Sequence, residues 1–320
     1  MDEFELIKNY FQKISKNNPS AKKLNDDVFF DKKNKLVVSV DTYNEGTHFP
    51  NFKYPDLLIK KIIRSSISDL ITKGVKPEYY FISASGSKNQ FTKKNLKMIS
   101  KSLNHEQKKY NIKLSGGDTT NSNKVTFSIT TIGFSNNIIE RNKAKLNDDI
   151  YVTGSLGDSF LGLKIIKNKI KINSKLKKYF INQFYCPNLP YKIYKKIHKF
   201  ANTSMDISDG LITDMNKLIN KQKLSFEINV NKIPISKNLK FYLKKHDKSR
   251  TQYLFNGDDY QILFTASKKN RSLIKSIGKK MNQKITIIGK INNGYKKNSI
   301  KLDNKSQKLT NFKGYSHKFW

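Results

Sequence analysis

Apolar residues recur at helical spacing in the opening stretch, at Phe4, Leu6, Ile7, Tyr10, Phe11 and Ile14, and predict an amphipathic first helix. Leu36 to Val40 is a β-branched run ending at Asp41-Thr42, which reads as a strand entering a polar loop. Pro55 to Lys73 reads as a strong helix, with Pro55 near its first position, Asp56 in its first turn and Gly74 just past its end. Tyr79 to Ser85 predicts a strand, and Leu96, Ile99 and Leu103 mark a further helix. Ile112 to Ser115 leads into Gly116-Gly117-Asp118-Thr119-Thr120, and Val125 to Phe134 alternates like a half-buried strand.

A turn at Asn147-Asp148-Asp149 follows the basic stretch Arg141 to Lys145, and Ile150 to Thr153 opens a new strand. The expected division is therefore into residues 1–146 and 147–320. In the second half Gly154-Ser155-Leu156-Gly157 opens a helix, and a lysine-rich helical region runs to about Asn202. Met205 to Gly210 precedes another helix, with strands expected at Phe226–Val230, Tyr260–Thr265 and Ile285–Ile288. Strands and helices alternate with hairpin-like pieces between them, which predicts mixed α/β or α+β layers.

Composition bounds the class. The chain has 320 residues, 37% of them hydrophobic, enough for a substantial core and against wholesale disorder. No run of about 18 apolar residues suggests a membrane helix, and the acidic start Met1-Asp2-Glu3-Phe4-Glu5 lacks the layout of a signal peptide. The single cysteine, Cys186, cannot close an internal disulfide, and the expected location is a reducing compartment, the cytoplasm. The net charge of +37 raises the possibility of a nucleic-acid partner. Yet only Arg64, Arg141, Arg250 and Arg271 are arginine, the residue that forks onto phosphates and bases. The lysines are spread along the chain among Asn and Ile, so the charge reads as compositional background and nucleic acid is not expected as the main partner.

Against that background the 25 acidic residues stand out, because many are clustered. Asp26-Asp27, Ser39-Val40-Asp41-Thr42, Ser68-Asp69, Gly117-Asp118-Thr119 and Asp206-Ile207-Ser208-Asp209-Gly210 are the five such segments, several at the ends of β-like runs. Gathered carboxylates repel one another unless cations neutralise them, and Mg²⁺ takes oxygen ligands together with substrate phosphates. The set suggests a multi-metal phosphate site. Each segment also has an ordinary reading: Asp209 as a helix cap, Asp26-Asp27 as a solvated turn, Asp69 as a solvent-facing helical residue, Gly116-Gly117-Asp118 as a tight turn. The P-loop, protein-kinase and Rossmann signatures are absent.

In order along the chain, these segments resemble the thiamine-monophosphate kinase family of the aminoimidazole ribonucleotide synthetase superfamily. The resemblance also rests on Asn9-Tyr10-Phe11, Gly46-Thr47-His48-Phe49, Lys73-Gly74, Gly157-Asp158-Ser159, Asn256 to Tyr260 and Phe312-Lys313-Gly314-Tyr315. It implies a two-domain α/β (α+β) fold, an N-terminal β-sheet dimerisation domain plus a C-terminal α/β domain completing the cleft, and a homodimer. It implies ATP-dependent phosphorylation of thiamine monophosphate to thiamine diphosphate by direct in-line transfer. Asp27, Ser39, Asp41, Asp69, Asp118, Asp206 and Asp209 would bind Mg²⁺, and Gly117, Asp118, Arg141 and Ser208 would contact ATP. His48, Asp258 and Tyr315 would line the substrate pocket, and Asp118, Arg141 and Asp209 would carry catalysis.

Three positions depart from the family pattern. Asn25 stands for a glycine, and Asn tolerates the left-handed turn that glycine there would serve. Asp258 stands for a glutamate and loses a methylene of reach, and Gln261 replaces another glutamate and loses a charge. Within the superfamily, selenophosphate synthetases want a reactive N-terminal Cys or selenocysteine, and hydrogenase-maturation relatives end in cysteine; this chain has neither feature. A lysine-rich nucleic-acid-binding protein and an inactive dimeric relative remain as competing expectations.

Overall fold

The computed structural model describes residues 1–303, 305–307, 314, 315, 317 and 319; Phe312 and Lys313 of the terminal motif lie outside the described residues. The first half forms a five-stranded sheet from β1 (Phe29–Asp31), β2 (Leu36–Asn44), β3 (Pro77–Gly86), β4 (Lys113–Asn121) and β5 (Thr126–Phe134), in the order β1-β2-β5-β3-β4. Its helices are α1 (Glu3–Leu6), α2 (Pro55–Thr72) and α3 (Lys93–Tyr110). The second half forms a seven-stranded sheet from β6 (Asp149–Thr153), β7 (Ala201–Asp206), β8 (Leu224–Asn229), β9 (Ile262–Ala266), β10 (Ile285–Asn293), β11 (Ser299–Leu302) and β12 (Lys305–Gln307). Its order is β12-β11-β8-β10-β6-β9-β7, with helices α4 (Asp158–Ile166), α5 (Ser174–Tyr185), α6 (Leu211–Leu218), α7 (Lys237–Lys245), α8 (Thr251–Leu254) and α9 (Arg271–Lys280).

The alternation in β2 and β5 sends Val37, Ser39 and Tyr43, with Phe127, Ile129 and Thr131, onto one face. That face packs on α2, whose Ile59, Ile62, Ile63 and Ile67 are completely or almost completely buried. Pro55 starts α2, whose missing N–H is no loss at a helix start. The helix stops where Gly74 takes φ +77° and Val75 N donates to Leu70 O at 2.9 Å, a left-handed C-terminal cap. A side chain at Gly74 would also strike the ring of His198. On its far side α2 meets β7 and α5, so one core runs from Ile62 and Phe127 through to Tyr151, Tyr260 and Phe264. Helix α2 therefore belongs to both halves.

A second core lies under the seven-stranded sheet, where Ile150, Val152, Met205, Phe226 and Ile288 pack with Leu211 and Met215 of α6. Strands β6 and β9 are buried along their whole length, as expected of central strands with both faces covered.

The opening segment departs from expectation. Instead of one amphipathic helix there is a single turn, α1, then a π turn over Ile7–Phe11 and a 3-10 turn over Ile14–Asn17. Leu6 and Ile7 are half-buried but Phe4, Tyr10, Phe11 and Ile14 stay exposed, so among the described residues most of the apolar pattern lacks the packing that normally stabilises such a helix. The lysine-rich region is also broken: α5 ends at Tyr185, short 3-10 turns follow, and β7 begins at Ala201. Asn25 has φ −127°, so the glycine-to-asparagine change meets no left-handed backbone; the positive φ values fall just before it, on Lys22, Lys23 and Leu24.

Candidate active site

Two adjacent residues of α2 reach the two sheets. Ser68 Oγ donates to Asp206 Oδ2 at the end of β7, and Asp69 Oδ2 accepts from Ser39 Oγ of β2 at 2.5 Å. Asp41 is the next residue of β2 on the same face as Ser39, and its Oδ2 is buried with no hydrogen-bond partner. These three carboxylates share one low-dielectric region. Burial raises Asp41 to about 6 and Asp206 to about 6, with Ser66 and Ser68 hydroxyls opposing the rise. Asp69 is raised further, first by burial and then by the charges of Asp41 and Asp206. Asp69 is therefore not the solvent-facing helical residue of the ordinary reading.

Beside this group sits a second one in which carboxylates are paired. Lys73, completely buried, places Nζ at 2.7 Å from Asp26 and 2.6 Å from Asp27. Arg141 Nη2 also pairs with Asp27, and Arg141 N donates to Asp26 Oδ2 at 2.9 Å. A third group joins Asp209 to Lys217, with Asp214 3.6 Å from the same ammonium. Asp209 caps no helix by its side chain: α6 starts after Gly210, and Asp214 Oδ2 accepts from the Asp209 and Gly210 N–H groups instead. Burial lowers Arg141, while Asp26, Asp214, Asp206 and Asp209 oppose that, which puts its guanidinium among all three groups.

The pocket side continues through His48, Asp258 and the described C-terminal residues. His48 Nδ1 accepts from Asn44 N at 3.0 Å, which leaves the ring proton on Nε2. Burial and the neighbouring His317, at 5.2 Å between rings, lower its pKa, so the ring is a neutral donor near pH 7. Asp258 Oδ1 takes Lys61 Nζ at 2.5 Å and the Tyr260 hydroxyl at 3.2 Å. Lys61 is itself buried, 3.9 Å from the Phe184 ring centroid. Tyr315 N donates to Asp209 O at 2.8 Å, and Ser208 O accepts from Asp258 N at 2.8 Å, so the Asp206–Gly210 loop ties these segments together.

The structure does not bring every expected residue into this cleft. Gly117 and Asp118 lie on the exposed edge strand β4, where Asp118 does no more than accept from Thr119 N at 2.8 Å among the described hydrogen bonds. Asp118 pairs in register with Ser83 and so follows the row Thr42–Ser128–Ser83, on the sheet face opposite Asp41. The Gly116-Gly117 pair is extended strand and not a tight turn; a side chain at Gly117 would collide with the Ile82 carbonyl. Asp27 and Arg141, expected on a metal and on ATP, face each other. Among the described residues no three His, Cys, Asp or Glu side chains converge on one point as they stand. Lys61, Asp214 and Lys217 belong to the cleft and were not singled out from sequence, and Asp26, Ser68 and Lys73 were named only as members of motifs, with no role given to them. The one local signal was for Ser68, which lies with Ser65, Asp69 and Thr72 on a polar stripe at helical spacing in α2.

A polar hollow of about 210 Å³ lies apart from this cleft, lined by Asp158, Tyr179, Asp259 and Gln261. Burial raises Asp158 to about 6, against the hydrogen bonds from Ser236 and Tyr179. A carboxyl raised in the folded state contributes stability below its unfolded pKa of about 4 and loses it as pH rises through about 6. Asp158→Asn is expected to recover about 2–3 kcal/mol relative to wild type above pH 6, and nothing below pH 4. Chemical denaturation of both proteins across that range checks it. Gln261 is buried, accepts from Thr153 Oγ1 at 2.9 Å and donates to Asn188 O at 2.9 Å. Gln261→Glu removes that donor and adds a charge beside Asp259. A loss of about 2 kcal/mol is expected, read as a lower denaturation midpoint at pH 8.

Such a fold, two sheets sharing a helix around buried carboxylates, defines the class. Residues 25–135 match the N-terminal domain of AIR synthase related proteins and residues 146–301 the C-terminal domain, and the chain belongs to that superfamily. Within it, the chain belongs to the thiamine-monophosphate kinase family. It is 35% identical to the thiamine-monophosphate kinase of Buchnera aphidicola subsp. Acyrthosiphon pisum, over 98% of each chain. Identity to that of Haemophilus influenzae is 32%, over 91% of this chain and 90% of the other. The solved structure of AaThiL complexed with AMPPCP and TMP matches with a TM-score of 0.84 and 29% identity, over 99% of this chain and 97% of that one.

Proposed function

We propose that this enzyme transfers the γ-phosphoryl group of ATP to the phosphate of thiamine monophosphate, giving thiamine diphosphate and ADP. The observation that carries the reading is the group Asp41, Asp69 and Asp206, three carboxylates that repel one another, with Asp206 buried, the other two half-buried and Asp41 Oδ2 unpartnered. That donor set fits a hard divalent cation, and Asp41, Asp69 and Asp206, with Asp209 alongside, would hold Mg²⁺. When bound, Mg²⁺ supplies neutralisation of the phosphate oxygens gathered for transfer.

The acceptor is a phosphate oxygen, already anionic near neutral pH because the second phosphate pKa is about 6. The chain therefore needs no general base, and its task is to orient and to balance charge. Arg141 uses Nε and Nη2 on Asp27, which aims the fork and leaves Nη1 without a described protein partner, free to donate to a phosphate. Neutral His48 offers Nε2–H without adding charge, and Asp258, fixed by Lys61 and Tyr260, presents its second oxygen to the substrate. The reading is tested with γ-labelled ATP and thiamine monophosphate: label in thiamine diphosphate and none retained on protein supports direct transfer, and label on protein contradicts it.

The working unit on this reading is a homodimer formed through the first sheet, with residues 1–146 and 147–320 as its two domains. Strand β4 is an edge exposed at all nine positions, and Val40, Phe81 and Phe134 stand on the outer sheet face, exposed by 66%, 37% and 48%. A long unpaired edge beside apolar surface fits a second copy of the same sheet. Gly117 and Asp118 sit on this edge, so pairing also decides what Asp118 meets. Phe81→Lys is expected to shift the protein from dimer toward monomer by at least about tenfold in dissociation constant, measured by sedimentation.

A further inference from the structure

Two of the three acidic groups of the cleft differ in one respect that bears on the cation count. At Asp26 and Asp27 every carboxylate oxygen already has a donor. Asp26 Oδ1 takes Lys73 Nζ at 2.7 Å and Asp27 N at 2.8 Å, and Asp26 Oδ2 takes Arg141 N at 2.9 Å. Asp27 Oδ2 takes Lys73 Nζ at 2.6 Å and Arg141 Nε at 3.2 Å, and Asp27 Oδ1 takes Arg141 Nη2. Lys73 is saturated as well: an ammonium has three donors, and the third goes to Ser204 O at 3.0 Å. Two carboxylates and two cations balance to zero in a corner where the lysine side chain is 0% exposed and the carboxylates 4% and 8%. Lys73 also closes the C-terminal end of α2, where the helix dipole favours a positive charge. At Asp41, by contrast, an oxygen is buried and empty-handed.

We propose that Lys73 is a built-in cation for the Asp26–Asp27 corner, standing where a divalent ion would otherwise be needed. Asp27 is then a structural anchor for Arg141 and not a metal ligand, and this chain takes one divalent ion fewer than its acidic residues suggest. The inference builds on the reading of the cleft as a cation and phosphate site.

The test counts Mn²⁺ bound per full-length chain by equilibrium dialysis and electron paramagnetic resonance, without nucleotide. Lys73→Met is expected to bind one more ion than wild type, and its melting temperature, depressed in EDTA, to return with Mn²⁺. Asp27→Asn in the otherwise wild-type chain is expected to keep the wild-type count; this arm stands even where Lys73→Met fails to fold. No gained ion in folded Lys73→Met, or one lost in Asp27→Asn, overturns the proposal. Failure of the underlying reading looks different: wild type then binds no Mn²⁺ at all, while Lys73→Met still gains its ion.

Discussion

Asp69→Asn is expected to lose at least about a thousandfold in phosphoryl transfer while becoming more stable than wild type in the absence of divalent ions. Both effects follow from the same geometry. Asp69 is raised by burial and by the charges of Asp41 and Asp206, so its ionised form destabilises the metal-free fold. An asparagine of the same shape keeps an oxygen to accept from Ser39 Oγ and removes one of three repelling charges. The gain should appear in EDTA and should shrink or reverse with Mg²⁺, where the wild-type carboxylate is matched. Paired denaturation curves with and without Mg²⁺, beside turnover assays, check both halves. A variant that loses activity and stability together would place Asp69 in a merely structural role.

The largest expected loss of stability comes from Glu106→Ala. Arg64 of α2 makes two hydrogen bonds to Glu106 of α3, Nε to Oε2 at 2.8 Å and Nη2 to Oε1 at 2.9 Å. Glu106 is completely buried and Arg64 is 6% exposed, so removing the carboxylate strands a guanidinium in the interior. Breaking one side of a buried pair costs about 3–5 kcal/mol, which for a chain of this size lowers the melting temperature by roughly 4–8 °C. Because α2 also carries Lys61, Ser68, Asp69 and Lys73, activity should fail at a lower temperature in step with unfolding. At temperatures well below the new transition turnover should stay within about threefold of wild type, which separates this effect from that of Asp69→Asn.

Much of the cleft was legible because its acids sit in a chain otherwise rich in lysine. Ser39-Asp41 at a strand end, Ser68-Asp69 in a helix and Asp206 to Gly210 after a strand were found by local pattern alone. The structure joins them at neighbouring positions of α2, where Ser68 donates to Asp206 and Asp69 accepts from Ser39. The buried lysines were not legible for the same reason. With 62 basic residues in the sequence, nothing local separates Lys61, Lys73 and Lys217 from their solvated neighbours. Only tertiary burial assigns them to Asp258, to Asp26 and Asp27, and to Asp209. The arginines show the converse. Arg64 binds Glu106, Arg141 binds Asp27, Arg271 binds Asp149, and Arg250 donates to the Val230 and Asn231 carbonyls, so all four have internal partners. Asp118 marks another boundary: its motif is plain in sequence, but a row position on an exposed edge strand is a property of sheet register, which no local pattern fixes.

The most direct measurement is the stoichiometry of products from purified wild-type protein given ATP, thiamine monophosphate and Mg²⁺. Equal amounts of thiamine diphosphate and ADP, abolished by EDTA and absent with Asp69→Asn, are the expected result. ADP released with free phosphate and no thiamine diphosphate, or transfer that persists in EDTA, would contradict the account.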